Sequence, residues 1–114
     1  MKLIQTSVTT KPNTNVEFWD NDYTELSLPT INLIQEEMLA NGRIISITKT
    51  ISEDQLTCTV VKIYASIDDY VYSNKQKIIA VAADGEEYFK EAINNFKYMS
   101  NNGITETLSW AFEA

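Results

Sequence analysis

The chain has 114 residues, nine basic against sixteen acidic, for a formal charge of −7, and 44% of it is hydrophobic. That length and apolar content suit one folded domain, residues 1–114, with a core that needs no metal or disulfide staple. Nine basic residues against sixteen acids argue against gripping a phosphate backbone, and so against nucleic acid, and equally against an anionic membrane surface. Histidine is absent and Cys58 is the single cysteine. The commonest general base, the ordinary zinc ligand sets and any internal disulfide are therefore missing. We expect no metal and no cofactor. The first apolar run is too short for a signal peptide, and nothing approaches the ~20 apolar residues that span a bilayer. A soluble, cytoplasmic protein is the expectation.

Lys2 to Thr10 is rich in β-branched residues, with Ile4, Thr6 and Val8 on one face, and reads as a strand. Lys11-Pro12-Asn13-Thr14-Asn15 breaks it, Val16-Glu17-Phe18-Trp19 is short and aromatic, and Asp20-Asn21-Asp22 is a polar loop. Pro29 suits a first helical turn, Ile31, Ile34 and Met38 follow at helical spacing with Leu39 beside them, and Asn41-Gly42 stops the run. A helix from Pro29 to Asn41 follows. From Arg43 to Ile51, Ile45, Ile47 and Ile51 share one face and Ser46, Thr48 and Thr50 the other. Ser52-Glu53-Asp54-Gln55 is the turn into Leu56 to Ala65, where Leu56, Cys58, Val60 and Tyr64 alternate with Val61 and Ile63. A strand apolar on both faces belongs in the middle of a sheet or in one covered on both sides.

Ser66-Ile67-Asp68-Asp69 has capping-box spacing and opens a helical region with Tyr70 and Val71. Ser73-Asn74-Lys75-Gln76 offers a second start, and Ile78 to Ala83 reads as helix or short strand. Asp84-Gly85-Glu86-Glu87 is a further cap. Phe89, Ala92, Ile93, Phe96 and Met99 then share a helical face until Asn101-Asn102-Gly103. Thr105 to Phe112 is the last strand, Leu108, Trp110 and Phe112 alternating with Thr107, Ser109 and Ala111. The order strand, helix, strand, strand, helix, strand predicts an α+β, ferredoxin-like βαββαβ sandwich with an antiparallel sheet. Its helices lie on one face. The other face, left apolar, is the expected dimerisation surface.

The order, the size and the Ser-x-x-Asp-Tyr segment directly after a strand (Ser66 to Tyr70) resemble the dimeric α+β barrel proteins, nearest the antibiotic-biosynthesis-monooxygenase-like group. Asn-Gly-Ile-Thr-Glu-Thr at residues 102 to 107 is also similar to small uncharacterised proteins of tailed bacteriophages. The barrel resemblance implies a homodimer with two four-stranded sheets packed face to face across a two-fold axis. It also implies a cleft between sheet and helices in each subunit.

Phe18 and Trp19 are candidates to line such a cleft for a planar ligand, or are loop aromatics packed on the core. Leu108, Trp110 and Phe112 are candidates for the dimer interface, or are core; Trp110 wants a partner for its indole N–H. Asp20, Asp22 and Glu25 could meet a hard cation, but they lack the glycine and bidentate glutamate of a calcium loop, and a solvated acidic loop is simpler. Tyr64, Tyr70, Tyr72, Tyr88 and Tyr98 could each donate a proton, but no base stands near any of them in sequence. Arg43, the lone arginine, could bind an anion or neutralise carbonyls at a helix end. Gly42, Gly85 and Gly103 are too scattered for a phosphate loop. No catalytic residue emerges. The leading expectation is a small non-catalytic, self-associating homodimer. One alternative is a cofactor-free monooxygenase-like or isomerase-like enzyme acting on a small aromatic molecule, which the barrel resemblance permits. Another is an acidic inhibitor that binds a host protein.

Overall fold

The chain folds as β1 (Lys2–Thr10), α1 (Pro29–Ala40), β2 (Ile44–Ile51), β3 (Thr57–Tyr64), α2 (Ile67–Asp84), α3 (Glu86–Asn101) and β4 (Thr105–Glu113). This is a computed structural model, and it describes residues 1–17 and 29–114. The four strands form one sheet in the order β2-β3-β1-β4. Every neighbouring pair is antiparallel. With its helices interposed, the architecture is α+β and ferredoxin-like.

Two details differ from the sequence reading. The stretch between β3 and β4 counts as one helix in the expected βαββαβ order but holds two, on either side of the cap read at Gly85. Ser66 starts the first: its Oγ accepts the Asp69 N–H at 3.2 Å and donates to Asp69 Oδ2 at 2.7 Å. No second start occurs at Ser73, which is buried inside α2, and Ile78 to Ala83 is helix. The break comes at Gly85, whose φ of 59° and ψ of −125° suit glycine and strain other residues. The second difference lies in β2. A bulge between Ile44 and Ser46 resets the alternation, so Ile44 is buried and Ile45 is exposed. Strict parity had joined Ile45 to Ile47 and Ile51.

The Ser66 cap has a measurable weight. Ser66→Ala removes the acceptor for the Asp69 amide and should cost about 1 kcal/mol of folding stability. A urea midpoint unchanged within error would refute that role.

Residues directly opposite each other across an antiparallel pair share a face. Leu3 pairs with Tyr64, and Tyr64 with Ile44. These three join Met38 of α1 in a buried cluster, with Ile34, Ile47, Tyr70 and Tyr72 packed on it. The side of the sheet carrying Leu3, Gln5, Ser7 and Thr9 is therefore the helix side. At the far end of the same strands, Cys58 and Ile104 form a second cluster with Val16, Ile51, Val60, Tyr98 and Met99. The helix-free side carries Ile4 and Val8 of β1, Val61 and Ile63 of β3, and a surround of Thr6, Thr48, Thr50, Thr59, Thr107 and Ser109. Among the described residues no helix is long and apolar enough to cross a membrane.

Candidate functional site

Four rows cross the helix side of the sheet from β2 to β4. They read Ile44–Tyr64–Leu3–Phe112, Ile47–Lys62–Gln5–Trp110, Lys49–Val60–Ser7–Leu108 and Ile51–Cys58–Thr9–Glu106. α1 lies against β2, and α2 lies against β3 and β1. The β4 end of each row has no such cover among the described residues. All nine residues of β4 are exposed, on both faces. Leu108, Trp110 and Phe112 retain 47%, 50% and 58% of their accessible surface.

The register thus places Leu108, Trp110 and Phe112 on the helix-bearing side, in rows with Leu3, Gln5 and Ser7. Two sequence expectations therefore separate: the helix-free face and this aromatic strand stripe lie on opposite sides of the sheet. A second uncovered stripe accompanies the first. α3 has no buried residue. Its Phe89, Ile93 and Phe96 keep 55%, 50% and 70% of their surface. The 3.6-residue period announced a face that wants burial, but the period does not say against what. α3 packs on α2 and meets the second cluster through Tyr98 and Met99 of its last turns.

Between the two clusters the sheet floor is polar. Lys62 is buried there and Thr9 is buried beside Cys58 in the last row, with Gln35 of α1 and Ser73 of α2 buried on the helices. Among the described residues the Gln35 side-chain Nε2 has no hydrogen-bond partner. An orphaned buried amide of this kind costs about 1–3 kcal/mol. Sequence reasoning passed over both long polar residues, although spacing marked them. Lys62 has the parity of Cys58, Val60 and Tyr64, and Gln35 sits one helical turn after Ile31 and one before Met38.

Phe18, Trp19, Asp20, Asp22 and Glu25 lie outside the described residues. Arg43 holds Asp69 Oδ1 at 3.1 Å and stacks its guanidinium 3.8 Å from the Tyr72 ring centroid. Its charge fastens the start of β2 to the first turn of α2. Three of the tyrosines are likewise engaged in packing or bonding. Tyr64 meets Tyr70 edge-on at 5.4 Å, and the Tyr98 hydroxyl donates to the Glu17 carbonyl. Among the described residues no cluster of three or more acidic, Cys or His side chains could hold a metal ion.

Cys58 is buried, and loss of hydration pushes its thiol above the ordinary range, partly opposed by the nearby Lys49 charge. Native protein should react with a thiol reagent at pH 8 far more slowly than urea-unfolded protein, which a kinetic trace can measure. The sign of the pH effect follows. The protonated thiol favours the folded state, so this stability is present below the ordinary thiol pKa and is lost as pH rises through the raised one.

No family model matches the chain, and no curated relative does. Solved structures do. A NIPSNAP family protein from Agrobacterium tumefaciens matches with a TM-score of 0.50 at 15% identity, across 100% of this chain and 94% of that one. A dimeric ferredoxin-like protein from an uncultured marine organism matches at a TM-score of 0.46 and 13% identity, across 100% of this chain and 91% of that one. At such identities the likeness to the Agrobacterium protein is one of fold.

Proposed function

We propose that the chain acts by self-association, as a single-domain homodimer with no catalytic machinery of its own. One observation carries this reading: β4 has nine residues and none is buried. A strand bearing Leu, Trp and Phe at successive inward positions, yet bare on both faces, leaves a contiguous apolar patch. Patches of that kind mark interaction surfaces. The patch lies in the subunit's own sheet, so a partner that covers it completes the layer that α1 and α2 begin. A second copy is the simplest such partner. The charged groups with described partners fit this role. Arg43 and Asp69 hold the scaffold together, and Lys90 lies near Glu86 and Glu87 on the exposed side of α3.

Size-exclusion chromatography with light scattering, over a wide concentration range, tests the reading. Twice the 13.0 kDa chain mass is expected. A monomer at every concentration would overturn it.

A further inference from the structure

We propose that in this dimer α3 of each copy lies across β4 of the other, Phe89, Ile93 and Phe96 seating on Leu108, Trp110 and Phe112. The inference rests on the homodimer reading and adds where the copies touch. Each chain carries two uncovered apolar stripes of the same chemistry. They also match in length: Phe89 to Phe96 rises about 10 Å along a helix, and Leu108 to Phe112 spans about 13 Å along a strand. Across a two-fold axis, a contact of patch A of one copy with patch B of the other brings the reverse contact with it. One chain supplies both patches, so a symmetric pair leaves neither bare.

The chain does not close the two stripes on itself, and the joint between them is fastened. At the end of α3, Asn102 N–H donates to the Tyr98 carbonyl at 3.1 Å and Ile104 N–H to the Met99 carbonyl at 2.9 Å. The Asn102 side chain adds a bond to the Tyr98 carbonyl at 2.8 Å. Ile104 is buried beside Cys58, and the Tyr98 hydroxyl is tied to the Glu17 carbonyl. Gly103 has a φ of 67°, and a Cβ there would lie 3.4 Å from the Pro12 ring. This turn holds the end of α3 in place, and α3 does not pack on its own β4, so the cover comes from outside.

The area is sufficient. Six side chains of roughly 200 Å² each, about half exposed, offer roughly 600 Å² per copy, and a reciprocal pair buries on the order of 1,200 Å², the lower bound of stable specific interfaces. The helix-free face offers less. Its four aliphatic residues are already half-buried by their neighbours and stand among threonines.

The test uses a short bismaleimide and two tagged single-cysteine chains, Ile93→Cys and Trp110→Cys, each also carrying Cys58→Ala and co-expressed with the other. Both new positions are exposed, so neither touches the core. The pair Phe96→Cys and Phe112→Cys, made with Cys58 retained, repeats the experiment should the alanine background fold poorly. The expected result is a cross-linked species carrying both tags, at least fivefold more abundant than the cross-linked dimer of either chain alone. A chain bearing both substitutions should cross-link between copies. Cross-linking within one chain would overturn the inference. A dimer by light scattering without the mixed-tag product would overturn it too, and leave the homodimer standing. A monomer would remove both.

Discussion

Met38→Ala is expected to lower folding stability by about 2–5 kcal/mol, the range for emptying a buried long aliphatic side chain. Met38 has 0% of its surface exposed, and it is the α1 residue that meets Leu3, Ile44 and Tyr64 from three different strands. Removing it takes away the transfer energy of its side chain and opens a void where three strands and a helix converge. The neighbour Leu39 is the control. It is 41% exposed and one position round the helix, so Leu39→Ala should cost about 1 kcal/mol or less. Urea unfolding of both variants decides the matter. Equal midpoints would mean that the buried cluster is not where the stability resides. A domain of this size has a margin of about 5–15 kcal/mol, so Met38→Ala alone should bring a visible fraction of molecules near unfolding on mild heating.

Trp110→Glu should weaken the dimer by at least 100-fold. Central aromatic anchors in protein interfaces each carry about 2 kcal/mol or more, and two-fold symmetry removes two of them with one substitution. The new carboxylates would also have to be desolvated, in a chain already at −7. The subunit itself should hardly notice. Half of Trp110 faces solvent, and exposed substitutions usually change stability by about 0.5 kcal/mol or less. Sedimentation over a dilution series gives the first quantity, and circular dichroism the second. A full-strength dimer with glutamate at this position would exclude Trp110 from the interface.

The alternation of Lys2–Thr10 and Leu56–Ala65, the Pro29 start, the Ser66 cap and the Gly85 break were all legible, because each is local backbone chemistry. Only the start of β2 was misphased: Ile44 takes the inward place read for Ile45, while Ile47 and Ile51 share a face as expected. A bulge has no compositional mark in a run of two adjacent isoleucines, and parity counting carries straight through it. Leu108, Trp110 and Phe112 were legible as a stripe, and their shared face was right. Which side of the sheet they face was not, since that depends on the β1–β4 register, set by residues a hundred positions apart. The outward turn of α3 was hidden for the same reason. It is fixed by Tyr98, Ile104 and Pro12, a contact set that no window along the chain contains. Gln35 and Lys62 were overlooked because long polar side chains are read as surface, although their spacing put them inside.

The pairing of Lys2 with Glu113 joins the two ends of the sequence, whereas Ile51 opposite Cys58 closes a turn of six residues. Closing the longer loop carries the larger entropic penalty. All nine residues of β4 are exposed and none gains burial that could compensate, so among the strands it should be the last to dock and the first to open. Its backbone amides should then exchange with solvent deuterium faster than those of β3, and the difference should shrink as protein concentration rises and the second copy settles over it. In this molecule, assembly and the completion of folding would be read from the same nine amides.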